Sequence, residues 1–422
     1  MLTSYIIYAL CAVLLIWGGK FAGFKKNQFH EDSSSLEVTK ALRGFAAIGV
    51  IIHHISLEQA FQKANGNGVP GELSLFLNAG YRCVAIFFFC SGYGLIKSLL
   101  LKPDYLKSFM RKRVVNSMII PYYVSILIYA VFRFAMGERL ALPLWILNFS
   151  GFTMMNNYAW YPVVAVIVYI TFYLTFSRIK NQKACFAIMA AVILLMGVIF
   201  CLNGHFVWWT GEKNWWLDWN NELHKKWWSG HNLWWFSGEW WVNSVPALLV
   251  GMLYARFEKE IRSWFQKLYW MKLFCVLILM LGFYLLTGFA LTKFGYWTEY
   301  SGQGEGTLNK LITYFLQIPE SMWLCVTLFV IMQKYYVINP VAKFFGNLSF
   351  ETYMMNLIAI TVCRVLLYTK ETYKIQFGMV PYYWAGRINL LLYAACVFAL
   401  SVILGIAYRI IYRKIYFKEK TL

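Results

Sequence analysis

Apolar runs of about 20 residues, the length that crosses a bilayer as a helix, alternate with short polar connections along almost the whole chain. Eleven of them are predicted as spans, near 3–19, 41–58, 80–100, 114–134, 157–177, 184–202, 241–256, 271–291, 310–332, 346–368 and 385–408. The first run has no basic residue ahead of it and no small-residue cleavage site, and Lys20, Lys25 and Lys26 follow it. It reads as a retained helix with its N-terminus outside. The polar connections then sort into two sets. Lys20–Arg43, Lys102–Arg113, Arg178–Lys183, Arg256–Lys267, Lys334–Lys343 and Arg409–Lys420 are rich in lysine and arginine. The connections between them are neutral or acidic. This alternation is expected when basic loops stay in the cytoplasm, and it puts the C-terminus there too. The expected fold is all-α, a polytopic helical membrane protein.

Composition narrows this further. The chain has 422 residues, 60% hydrophobic and only 14% charged. So few charges cannot cover the surface of a soluble protein of that apolar content, which excludes that class. The net charge of +20 would suggest nucleic acid in a soluble chain. Here the basic residues sit in the short loops, so the partner they imply is the lipid bilayer, and no nucleic acid is expected. The nine cysteines are scattered singly through apolar runs. Without CxxC or Cys/His spacing they read as small buried hydrophobes, not as a metal site or a disulfide framework.

One outer connection differs in texture. Residues 203–241 hold eleven tryptophans among polar residues. Two readings stand. One is an interfacial aromatic belt. The other is a platform for a sugar, with Trp215, Trp216 and Trp219 offering ring faces and Asp218 a hydroxyl acceptor.

The second run, "LRGFAAIGVIIHHI" from Leu42 to Ile55, carries groups that hydrocarbon penalises: Arg43, His53 and His54. Each costs about 2.5–3.5 kcal/mol at a bilayer centre on insertion scales. At about 100° per residue, eleven residues bring Arg43 and His54 within about 20° of one face, about 16 Å apart along the axis, while His53 falls about 80° away. Arg43 and His54 are therefore expected to look into one cavity. Glu58, four residues past His54, is within reach to orient the imidazole. Against this, Arg43 snorkelling, His54 donating to a neighbouring helix and a solvated Glu58 account for the same residues.

Four stretches in order carry a resemblance. Arg43-Gly44-x-Ala46 with His54 eleven residues after the arginine is similar to the first core helix of the membrane acyltransferase-3 family. "IFFFCSGYGLIKS" (Ile86–Ser98), "RKRVVNSMIIPYYV" (Arg111–Val124) and "FGNLSFETYMMNLI" (Phe345–Ile358) resemble its later motifs. Asn356 stands where many members have histidine, and Asn116 and Ser117 where a second basic pair is common. The resemblance implies an extra N-terminal helix at 1–26, a ten-helix acyltransferase domain at 38–412 and a basic tail at 413–422. It also implies a multi-pass protein of a bacterial plasma or inner membrane. The implied activity moves an acyl group, most often acetyl, from acyl-CoA to a hydroxyl of a surface carbohydrate. No permanently bound cofactor is implied.

On this reading His54 is the base, with Glu58 as its orienter. Arg43, Arg111 and Arg113 serve the phosphates of the donor. Ser91, beside Gly92, either permits a close helix crossing or leaves room for the acyl chain. Glu351, expected near its helix start, is explained by capping but stays a pocket candidate with His53. Two other classes remain: a proton-coupled transporter or flippase using Arg43, His54 and Glu58 as a relay, and a non-catalytic sensor or scaffold. The first predicts interrupted helices in an inverted repeat, which the sequence does not display. The second predicts indifference to loss of His54.

Overall fold

The structure is a computed structural model that describes residues 2–64, 72–135, 142–151, 153–156, 158–202, 233–234, 241–295, 306–368 and 389–418. In chain order the elements are α1 (Leu2–Ile16), β1 (Gly19–Phe21), α2 (Leu36–Ala64), α3 (Gly80–Leu101) and a π-helical stretch (Met110–Ile119) that runs directly into α4 (Ile120–Ala135). Then come α5 (Leu142–Ser150), β2 (Thr153–Met154), α6 (Trp160–Arg178), α7 (Gln182–Leu202), β3 (Leu233–Trp234), α8 (Ala247–Arg256), α9 (Glu258–Gln266) and α10 (Tyr269–Lys293). The chain closes with α11 (Gly306–Met332), β4 (Tyr335–Val337), α12 (Pro340–Tyr368) and α13 (Leu390–Lys418).

This is an all-α polytopic membrane protein, as the hydrophobic pattern predicts. Among the described residues nine helices are long and apolar enough to span, not eleven. The run at 3–19 ends early because Gly18 turns the chain with φ +76° into β1. The run at 241–256 becomes a turn through Trp241–Pro246 and the ten-residue α8. Its apolar residues continue, but Asn243, Ser244 and Pro246 interrupt the helix. Other helices begin earlier than hydropathy indicates, because their first turns are amphipathic and capped. Ser35 Oγ accepts from Val38 N at 3.3 Å ahead of α2. Asn339 Oδ1 accepts from Ala342 N at 2.8 Å, with Pro340 as the first residue of α12. α13 crosses the expected boundary at 412 and runs on to Lys418.

Glycines set the closest helix contacts. A β-carbon on Gly44 of α2 would meet the backbone of Ala342 and Gly346 on α12, and one on Gly346 would meet Lys40 O. α3 and α8 cross the same way through Gly92 against Leu248 O and Gly251 against Phe89 O. Without a hydrophobic drive between helices in lipid, such backbone approach is what gains packing energy. It also puts α2 inside the bundle. In α2 72% of the apolar window is buried, against 17% in α10. Polar side chains on α2 can therefore face protein instead of hydrocarbon.

The basic connections gather at one end. β1 pairs antiparallel with β4. Lys334 Nζ donates to the carbonyls of Gly23 and Lys25 at 2.9 and 2.8 Å. Arg262 donates to Glu31 O and His30 O, which brings α9 to the same end.

Candidate functional site

His54 lies in the bundle interior, 6% exposed. Its Nδ1 is 2.7 Å from Asn356 Oδ1 on α12, and Asn356 Nδ2 donates to Ser401 Oγ on α13 at 3.0 Å. Three helices thus meet at one imidazole. Its Nε2 has no hydrogen-bond partner among the described residues. The Tyr158 ring stacks on the imidazole, 3.8 Å between centroids and 18° between planes.

Tyr158 is held by its own short segment. Asn156 Oδ1 accepts from Tyr158 N at 3.0 Å, and Asn156 Nδ2 donates to Met354 O of α12 at 2.8 Å. The Tyr353 hydroxyl donates to Tyr158 O. Buried Arg133 donates to Met155 O at 3.2 Å. β2, just before this segment, pairs with β3, the described part of the Trp-rich connection.

Glu58 does not orient His54. Its carboxylate pairs with Arg364 Nη1 at 3.1 Å, with both side chains almost fully buried. The fourfold spacing along α2 was right, but α12 offers a full charge to Glu58 and a neutral amide to His54. A buried carboxylate gains more from the guanidinium. Arg364 and Asn356, both on α12, were missed as site residues. The signal for the first was a lone arginine within an apolar helix.

Arg43 lies half-buried on the wall of a cavity of about 1160 Å³. The wall also carries Lys97, Lys102, Lys112, Arg113, Arg409 and Arg413. Two of these are neutralised. Arg409 binds Glu351 through Nε and Nη2 at 2.7 and 2.8 Å, and Lys97 pairs with Glu258. Arg43, Lys102, Lys112, Arg113 and Arg413 have no carboxylate partner among the described residues. The cavity reaches Tyr161 and Tyr353. His54 is not part of this wall. The cavity that helix geometry predicts for both thus holds Arg43 and not His54: Tyr353, on its wall, donates to Tyr158 O, and the Tyr158 ring stacks on His54.

The other expected residues divide. Arg113 and Ser91 line the cavity, with Ser91 Oγ 2.5 Å from the Tyr169 hydroxyl. Gly92 serves the helix crossing, against Leu248 O of α8. Glu351 also lines the cavity, but three turns into α12 instead of at its start, and the Tyr412 hydroxyl donates to it at 2.5 Å. Arg111 is exposed and outside the wall. The π-helical turns direct Lys112, Arg113, Asn116 and Ser117 inward instead. The side-chain amide of Asn116 is buried there without a hydrogen-bond partner. His53 Nδ1 contacts Phe76 O at 2.9 Å and its ring packs on Gly80. Trp215, Trp216, Asp218 and Trp219 lie outside the described residues.

The arrangement combines a large recess lined by positive charge with a fixed, neutral-capable imidazole one aromatic layer beyond its end. A family model described as an acyltransferase domain matches residues 40–410. Comparison with curated proteins and with solved structures gives no match.

Proposed function

The chain belongs to the acyltransferase-3 family, and from that premise we propose that this membrane acyltransferase moves an acyl group, acetyl in the simplest case, from acyl-CoA to a hydroxyl of a cell-surface carbohydrate. The observation that carries the reading is the cavity wall. Five basic side chains without a carboxylate partner among the described residues line a recess whose volume slightly exceeds the about 300–1,000 Å³ usual for small-molecule sites. A long polyanion such as acyl-CoA matches both its charge and its size. The basic end is then cytoplasmic, where acyl-CoA is available, and the Trp-rich connection is outside. A cysteine at position 229 labelled from outside intact cells, with one at 108 protected, is the expected result.

In this reading Arg43, Arg113 and Lys112 hold donor phosphates, guanidinium in bidentate fashion. The thioester passes the Tyr158–Tyr353 layer to reach His54. The acceptor comes from the opposite side, where β3 of the Trp-rich connection meets β2 four residues before Tyr158. His54 Nε2 takes the hydroxyl proton as the oxygen forms its bond to the acyl carbon. The C–S bond then breaks, and the departing thiolate recovers that proton as the CoA thiol. Arg364–Glu58 is a fixed pair that keeps charge balanced beside the imidazole, not a proton relay. That feature favours acyl transfer over proton-coupled transport.

The test is mass spectrometry of surface glycans from cells making the wild-type protein, the His54→Ala protein or none. An acyl mass increment present only with wild type is the expected result. Identical glycans in all three would overturn the reading.

A further inference from the structure

Asn356 occupies a position whose side chain cannot titrate, yet it makes the only hydrogen bond to the imidazole among the described residues. An amide can meet His54 Nδ1 in two ways. Its oxygen can accept from Nδ1–H, leaving the Nε2 lone pair free. Or its NH₂ can donate to an Nδ1 lone pair, which puts the proton on Nε2 and removes the base. The structure has the first arrangement, Oδ1 towards Nδ1 and Nδ2 towards Ser401 Oγ. Asn356 and Ser401 are both 0% exposed, so no bulk water competes for these groups.

We propose that Asn356, held by Ser401, is the positioning residue that sets the His54 tautomer, keeping the proton on Nδ1 and the lone pair on Nε2. This rests on the reading of His54 as the base. When Nε2 takes the acceptor proton, Nδ1–H goes on donating to the amide oxygen. The imidazolium is stabilised by a dipole while the amide neither gains nor loses a proton. The second hydrogen bond gives Ser401 its part. In the observed orientation Nδ2 donates to Ser401 Oγ, which anchors the far side of the amide and holds Oδ1 against Nδ1. The stacked Tyr158 ring supplies the remaining constraint by fixing the imidazole plane.

The tautomer makes the idea testable, because a carboxylate only accepts whereas leucine does neither. Purified Asn356→Leu, Asn356→Asp, Ser401→Ala and His54→Ala proteins are compared for kcat, acyl-CoA affinity and melting temperature. Asn356→Leu should lose at least about a hundredfold in kcat, with acyl-CoA affinity unchanged. Asn356→Asp should recover kcat to within about tenfold of wild type. Ser401→Ala should lie between wild type and Asn356→Leu. A merely structural role would not let Asp rescue what Leu destroys at equal melting temperature. If Asn356→Leu keeps kcat, or Asn356→Asp is as inactive as Asn356→Leu in an equally stable protein, the inference is wrong. If His54→Ala itself transfers acyl groups, the base assignment falls and this inference with it. An inactive His54→Ala beside an active Asn356→Leu removes the inference alone.

Discussion

Around the cavity, Arg43, Lys102, Lys112, Arg113 and Arg413 have no carboxylate partner among the described residues. Around His54, about 16 Å from Arg43 by helix rise, most polar side chains have protein partners, the Tyr158 hydroxyl being an exception among the described residues. Asn356 meets His54 and Ser401, Glu58 meets Arg364, and Asn156 meets both Tyr158 and Met354. The physical reason is solvation. The cavity wall is wet enough for its cations to keep much of their hydration, so mutual repulsion is modest and a polyanion can relieve it. In the dry chamber a single orphaned polar group costs about 1–3 kcal/mol and an unpaired charge more. The first region is arranged to receive charge, the second to hold an atom still.

The widest separation between the two should come from His54. Its replacement by alanine should cost about 10²–10⁴ in transfer rate, the usual contribution of a general base. His53→Ala, whose partner is the Phe76 carbonyl, should stay within about tenfold of wild type. Assay of both in membranes with matched insertion decides it, and the reverse outcome would dissolve the chamber as the seat of chemistry.

Next in size is the buried ion pair. Glu58→Ala should destabilise by about 3–5 kcal/mol, because it removes a buried carboxylate that pairs with the Arg364 guanidinium. Replacing both by methionine and leucine should restore most of the melting temperature in detergent. Equal stability of the single and double variants would mean that this part of the chamber tolerates loss of the carboxylate after all.

On the cavity side, Arg43→Ala should weaken acyl-CoA binding by roughly ten- to a hundredfold, the worth of a charge-assisted contact of about 1.5–3 kcal/mol. Arg43→Lys should recover only part of it, since a point charge lacks the guanidinium fork. Titration with acyl-CoA beside an acceptor analogue sharpens the contrast. Loss of acceptor binding with intact donor binding would reverse the roles of the two regions.

The smallest effect compares two glycines on α3. Gly92→Ala drives a methyl into the Leu248 carbonyl of α8 and should cost about 1–3 kcal/mol. Gly94, which lines the cavity, has no atom within 4 Å of an added β-carbon. Gly94→Ala should leave the melting temperature unchanged, and a loss there equal to that of Gly92→Ala would show the cavity to be tighter than the structure has it.

How much of this was legible beforehand differs by residue. Arg43 and His54 stood out because charge and imidazole inside an apolar run are costly. Gly44 and Gly92 could be quoted as motif letters, but their work is to let α12 and α8 approach. Glu351 was assigned to a helix start because hydropathy marks only the apolar part of α12. Its first turns, from Pro340, hold Lys343, Gly346 and Asn347 among apolar residues and are capped by Asn339. Glu58 was paired with the nearest candidate on its own helix, since spacing along one helix is all that periodicity measures.

The sequence by itself determined the nine spanning helices among the described residues, short of their ends, the alternation of basic and neutral connections, and the axis from Arg43 to His54. These follow from burial free energy and helical repeat, which act over a few neighbouring residues. Only the tertiary structure decided what those residues meet. The amide that orients His54 lies 302 positions away, and the arginine that takes Glu58 lies 306 positions away. Partners so distant along the chain leave no trace in periodicity. They are chosen by which helices can pack backbone to backbone, and glycines 44 and 346 made that choice for α2 and α12.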